Sequence, residues 1–287
     1  MGRNRPGHRR KQTGSPSPPS VQGKKSTPLW LVVKRLAYWS LVLAVWGSLM
    51  LAGVVAYYAY DLPDPAALDT EYRAPGITLL AADGAVLGTA GPVHAEPVAL
   101  AELPATLPRA VLATEDRRFY LHSGVDWFGV ARAAIRNLLA GRVVQGGSTI
   151  TQQLAKNLFL TSERSFRRKI RELLLALWLE HRFTKDQLLT IYLNRVYLGG
   201  GTYGVEAAAW RYFGKTVRDL SLPESAMIAG LLKAPSRYAP TRDLLLAQSR
   251  AGQVLDRMVA SGWLEQAEAA AAKRSPARPT GAYIGSG

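Results

Sequence analysis

In ATEDRRFYLHSGVD, residues 113–126, the acid pair Glu115-Asp116 is followed by Phe119 and His122, and the run closes on a glycine and Asp126. On a helix, Glu115, Phe119 and His122 would stand at i, i+4 and i+7 and look out from one face. A carboxylate presented in this way raises two chemistries, proton transfer and metal ligation. A metal held by Glu115 and His122 would need a third ligand at a metal-like spacing, and the sequence offers none. His122 therefore reads as a structural residue that braces a helix-to-turn junction through a hydrogen bond.

Two further segments carry polar residues where a plain core would not need them. In QGGSTITQQLAKNLFL, Gly146-Gly147 breaks the chain and Ser148 or Thr149 can cap a new helix, with Gln152 placed as in a capping box. Thr149, Gln153 and Lys156 then fall at i, i+4 and i+7 with Asn157 beside them, so a hydroxyl, an amide and an ammonium face one way. In RSFRRKIRELLLALWLEHRF, Arg168 and Glu172 are four apart and Lys169 is three from Glu172. Ile170, Leu173, Leu174 and Leu177 are the expected buried stripe. Taken alone, that charged face reads as a solvated one laced by i, i+4 pairs.

The elements that must position these residues begin at residue 105, where the pattern turns helical and stays so. Before it, ITLLAADGAVLGTAG alternates around Asp83-Gly84 and predicts a hairpin of two small strands. DLPDPAALDTEYRAPG, residues 61–76, is a proline-containing connector. Residues 36–60 are 25 positions without a charge and with aromatics at both ends, enough for a membrane-crossing helix, which takes about 20 apolar residues. No internal period of 20–50 residues marks a repeat protein.

Composition narrows the classes. The chain has 287 residues, 48% of them hydrophobic, and can bury one substantial core. It has no cysteine, so disulfides and thiolate metal sites are excluded. The net charge of +15 suggests nucleic acid at first, but residues 1–35 carry nine Lys or Arg and no acid. That Pro-, Ser- and Gly-rich basic tail reads as disordered, with the membrane behind it as its partner rather than nucleic acid. The basic flank places residues 1–35 in the cytoplasm and residues 61–287 outside it.

EDRRFYLHSGVD, GGSTITQQLAKNLF, RRKIRELLLALWLE, KDQLLTIYLNRVYLGGGTYGVEAAAWRYFGK and LPESAMIAGLLKAPSRYAP resemble, in order, the five motifs of the peptidoglycan glycosyltransferases, found as monofunctional enzymes and as the N-terminal domain of class A penicillin-binding proteins. The resemblance covers about residues 113–240. It implies a mainly α, lysozyme-like glycosyltransferase domain with a small membrane-associated lobe, preceded by one transmembrane helix. The implied domains are a basic tail (1–35), a transmembrane helix (36–60), a connector with a hairpin (61–104), the glycosyltransferase core (105–240) and C-terminal helices with a tail (241–287).

The implied substrates are lipid II and the nascent glycan strand. The C4 hydroxyl of the acceptor's N-acetylglucosamine joins the anomeric carbon of the chain's N-acetylmuramic acid, and undecaprenyl diphosphate leaves with inversion to a β-1,4 link. By the motifs, Glu115 is the general base, and a glutamate beside Phe119 and other apolar residues can have a raised pKa. Glu172 is the second catalytic carboxylate, on the donor side. Lys156, Arg168 and Lys169 are cations for the leaving diphosphate. Asp116, Phe119, Ser148, Thr149, Gln153 and Asn157 complete the substrate cleft, while Asn194, Gly204 and Glu206, with His122, are scaffold. GGGTYG is too irregular for a phosphate loop. No cofactor is required, although a divalent cation (Mg2+ or Mn2+) could bridge the diphosphate. The implied location is a bacterial cytoplasmic (inner) membrane, single-pass with the catalytic domain on the outer or periplasmic side, with cell-wall synthesis complex proteins as partners and moenomycin as inhibitor.

Two other readings share these residues. A lysozyme-like hydrolase or lytic transglycosylase uses the same fold and one glutamate, but needs a proton donor rather than three cations. A non-catalytic membrane scaffold of the cell-wall machinery would be expected to have lost an acid or a cation, and none is missing. Residues 241–287 resemble the connector to a transpeptidase domain and contain no Ser-x-x-Lys, so no penicillin label is expected on them.

Overall fold

The computed structural model describes residues 1–2, 29–60, 77–80, 86–90, 93–142, 146–160 and 165–280. The chain divides into two units, Met1–Val54 and Val55–Gly287. Most of the expected basic tail (3–28), the connector 61–76 and the Asp83-Gly84 turn lie outside the described residues.

The first helix, α1, runs Leu29–Ala59 and is long and apolar enough to cross a membrane. It starts seven positions before the expected Leu36. Lys34 and Arg35 do not stop it, because long basic side chains can extend along a helix while their heads stay polar, and Lys34 Nζ lies over the Trp30 ring at 4.7 Å. Leu43, Trp46 and Met50 stand more than half exposed. Ser48 closes its own hydroxyl onto the Ala44 carbonyl at 2.8 Å, so that donor is satisfied within the helix.

The expected hairpin is present as β1 (Ile77–Leu80) and β2 (Val86–Ala90), antiparallel with a register slip between Leu79 and Leu80. A third strand, β3 (Val93–His94), pairs in parallel with β4 (Thr202–Tyr203). The rest is helical: α2 (Thr106–Glu115), α3 (Trp127–Ala140), α4 (Ile150–Phe159), α5 (Phe166–Arg182), α6 (Lys185–Arg195), α7 (Val205–Phe213), α8 (Leu222–Leu231), α9 (Pro235–Tyr238), α10 (Leu244–Ala260) and α11 (Gln266–Arg274).

Helix α8 is the centre of the core. From Ala226 onward its sequence is apolar on every side, and it is buried from Ser225 through Leu231 between α2 and α10. The core does not stop at residue 240: Val254, Leu255 and Met258 of α10 and Ala269 and Ala272 of α11 join the same cluster as Leu107, Leu188 and Ile228. The expected boundary there falls inside one packing unit.

Two local expectations are corrected. Helix α2 ends at Glu115, and Asp116 leaves it at φ −154°. Phe119 starts a separate 3-10 turn, so Glu115, Phe119 and His122 do not share one helical face. A tertiary contact accompanies the break: Asp116 accepts the backbone N–H of Ile150 at 3.1 Å, which places an anion at the positive end of α4. In α5 the buried stripe is Glu172, Leu175, Ala176 and Leu179. Leu177 is exposed and Ile170, Leu173 and Leu174 are half-buried, so the helix is turned to bring a carboxylate inward and leave leucines outside.

Candidate active site

Glu115 sits half-buried on the last residue of α2, and Gln153 of α4 donates Nε2–H to its Oε2 at 2.9 Å. The Gln153 carbonyl oxygen accepts the hydroxyl of Tyr192, on α6, at 3.0 Å. Tyr192 is completely buried. Burial, and then the charges of Glu115 and Asp116, push its phenol well above the ordinary range, so it stays protonated and acts as a donor.

The second carboxylate, Glu172, is 4% exposed and both its oxygens are used. Arg168 Nη1 donates to Oε2 at 3.2 Å, and Lys169 Nζ pairs with Oε1. Lys169 also reaches Ser148 Oγ at 3.0 Å and Gln152 Oε1 at 3.5 Å. Consecutive glutamines of α4 therefore face different groups, Gln152 the Lys169 ammonium and Gln153 the Glu115 carboxylate.

The sequence places α4 through its cap. Thr149 accepts the Gln152 backbone N–H at 3.2 Å, and the Gln152 side chain returns to the Thr149 N–H, the capping box expected from STITQ. The Thr149 hydroxyl donates to the Gly124 carbonyl at 2.6 Å. That hydroxyl, expected to touch substrate, is spent within the fold and is nearly inaccessible. Lys156 and Asn157, at the far end of α4, are exposed, and among the described residues Lys156 has no carboxylate partner.

Asp116, Phe119 and His122 form a bracket rather than an open face. His122 Nε2 lies 3.0 Å from both Asp116 oxygens, bracing the junction after α2. Phe119 is 1% exposed, its ring edge-on to His122 at 6.3 Å with Lys185 Nζ over it at 4.3 Å. Lys185 in turn binds Glu180 at 2.7 Å, which accepts the Thr151 hydroxyl at 2.6 Å.

Asn194, Gly204 and Glu206 tie the floor together. The Asn194 amide grips both backbone groups of Val98, at 2.8 and 2.9 Å. Gly204 has φ +84°, and a Cβ there would meet the Asn194 carbonyl oxygen at 2.5 Å. Glu206 accepts Trp210 Nε1–H and the Val217 N–H, both at 2.9 Å.

The sequence reading did not single out Tyr192, nor Gln152 beyond its cap. Leu188, Leu189, Tyr192 and Leu193 form the buried stripe of α6, and a tyrosine within such a stripe demands a hydrogen-bond partner. That was the available signal. A cavity of about 380 Å³ between α10 and α11, lined by Gln248, Gly252, Asp256 and Lys273, includes none of these site residues.

A family profile described as Transglycosylase matches residues 83–259, more than half of the chain. Penicillin-binding protein 1A of Vibrio cholerae is 42% identical over 248 residues, 86% of this chain and 30% of that protein. Its counterpart in Aquifex aeolicus is 48% identical over 215 residues, 74% of this chain and again 30% of the relative. A crystal structure of penicillin-binding protein 1A from Haemophilus influenzae matches 72% of this chain and 21% of its own at 28% identity and a TM-score of 0.46. The chain thus spans about 30% of the length of these curated relatives. It belongs to the transglycosylase family.

Proposed function

We propose that this chain is a peptidoglycan glycosyltransferase that polymerises lipid II. The observation that carries the reading is the division of labour across α4: one carboxylate, Glu115, meets a neutral amide donor, while the other, Glu172, is enclosed by two cations. A carboxylate with a neutral partner is free to accept a proton, and a cation cluster is suited to a leaving anion.

Glu115 takes the proton of the acceptor's C4 hydroxyl as that oxygen bonds to the anomeric carbon from the face opposite the diphosphate. The bond from the anomeric carbon to the diphosphate oxygen breaks, its electron pair leaves with undecaprenyl diphosphate, and the α link becomes β. Arg168 and Lys169, already gathered by Glu172, and Lys156 offset the departing charge. Among the described residues no three His, Asp or Glu side chains converge as a metal site. A divalent cation acting here would draw its oxygen ligands chiefly from the diphosphate, and the roles of the chain's own residues stand without it.

The same reading places α1 across the bacterial cytoplasmic membrane with residues 1–35 on the cytoplasmic side, and a membrane-seated lobe at α3. Trp127, Phe128, Ile135, Leu138 and Leu139 are each more than half exposed, and α3 buries only Gly129 and Ala133. So large an apolar surface, mixed with arginines, suits a lipid interface. Partners within a cell-wall synthesis complex belong to the same proposal. Incubation of the purified chain with labelled lipid II is the test: long glycan strands are expected. Cleavage of preformed strands, or no turnover by a folded protein, overturns it.

A further inference from the structure

We infer that Tyr192 is a positioning residue for the general base, acting through the orientation of the Gln153 amide. The inference rests on the glycosyltransferase reading for its kinetic consequence, but not for its structural one.

A glutamine amide has two unlike ends, and only its NH2 end can support a carboxylate. If the amide turned over, its oxygen would face Glu115 and repel it. Nothing in the covalent structure of Gln153 chooses between these orientations; the choice is made by what its other end meets. Here that partner is the Tyr192 hydroxyl, 3.0 Å from Gln153 Oε1. A protonated phenol pointing at the amide demands an acceptor, so the oxygen is held toward α6 and the Nε2–H is left toward Glu115 at 2.9 Å. The donors run in one direction, from Tyr192 to Gln153 to Glu115. Tyr192 is in place to hold this sense because it is wholly buried in the stripe of Leu188, Leu189 and Leu193. The raised pKa of its phenol keeps it a donor throughout the range in which a carboxylate works as a base. A tyrosine that merely filled the core would need some partner for its hydroxyl; the consequence argued here is specific to the partner it has.

Tyr192→Phe removes the hydroxyl alone and keeps the ring. With full-length protein, kcat and KM for lipid II are measured separately in wild type, Tyr192→Phe, Gln153→Met and the double variant. The expected result is a fall in kcat of about tenfold in Tyr192→Phe with KM little changed, the factor carried by a hydrogen bond to a charged group. In the Gln153→Met background, Tyr192→Phe then changes kcat by less than about twofold, because the hydrogen-bonded link from Tyr192 through Gln153 to Glu115 is gone. A second readout needs no turnover: the Gln153 side-chain NH2 signals, identified as those lost in Gln153→Met, are expected as two well-separated lines in 1H–15N spectra of wild type and to converge in Tyr192→Phe. An unchanged NH2 pair in Tyr192→Phe overturns the inference whatever the turnover. So does an active wild type whose kcat survives the substitution, or an equal loss in both backgrounds. If wild type makes no strands while the NH2 lines converge as expected, the positioning link holds and the glycosyltransferase reading is what has failed.

Discussion

Arg257 of α10 donates from Nη1 to the carbonyl of Thr114 at 2.8 Å, joining residues 143 positions apart one step before Glu115. The last carbonyls of a helix lack intrahelical partners, and a cation there also suits the negative end of the helix dipole. Arg257→Ala is expected to cost about 1 kcal/mol of stability, measured by chemical denaturation, and to lower kcat more than it alters KM, because the last turn of α2 loses its outer tether. Unchanged turnover would make Arg257 a surface contact only.

Glu115→Gln keeps the shape of the side chain and removes its basicity. Loss of a positioned base typically lowers rate by 10²- to 10⁴-fold. Strand synthesis is expected to fall into that range while lipid II binding persists, and turnover within about threefold of wild type, far inside it, would remove Glu115 from the mechanism.

The two lysines are expected to separate. Lys156 has no carboxylate partner among the described residues, so Lys156→Ala weakens moenomycin or diphosphate binding about tenfold, the lower bound for a charge-assisted hydrogen bond, with the melting temperature unchanged. Lys169→Ala weakens binding similarly but also lowers the melting temperature, because it leaves the buried Glu172 with Arg168 alone. Calorimetric binding and thermal unfolding of both variants check this. Equal thermal stability in the two would mean the Glu172 cluster adds nothing to the fold.

Gly204→Ala is expected to destabilise strongly. The backbone at φ +84° alone costs a side chain about 1–3 kcal/mol, and the added Cβ must also push against the Asn194 carbonyl oxygen, 2.5 Å away. A denaturation midpoint within error of wild type would show that the loop relaxes at no cost.

Much of this was legible in the sequence wherever the controlling contact is local. The hairpin follows from alternation around Asp83-Gly84, and the start of α4 from Thr149 and Gln152, whose capping bonds close within four residues. Most of what misled was decided at long range. Glu115 and Phe119 look like one helical face until Ile150, from another helix, takes the Asp116 carboxylate. The α5 stripe is the exception: Arg168 and Lys169 pair with Glu172 within the same helix, but such pairs read as a solvated face, whereas here they accompany a buried carboxylate while Leu177 faces outward. Tyr192 lay hidden in an apolar stripe because its partner is 39 residues away on α4.

The consecutive placement of Gln152 and Gln153 also bears on how this segment can change length over time. Each helical residue turns the chain by about 100°, so the directions in which the two amides point are set by their count from Thr149. Thr149 is itself anchored to Gly124. A substitution along α4 alters one contact, whereas one inserted or deleted residue between Thr149 and Gln152 swings both amides together, Gln152 off Lys169 and Gln153 off Glu115. A change of length between Thr149 and Gln152 is therefore expected to cost more than the replacement of any one of the residues between them.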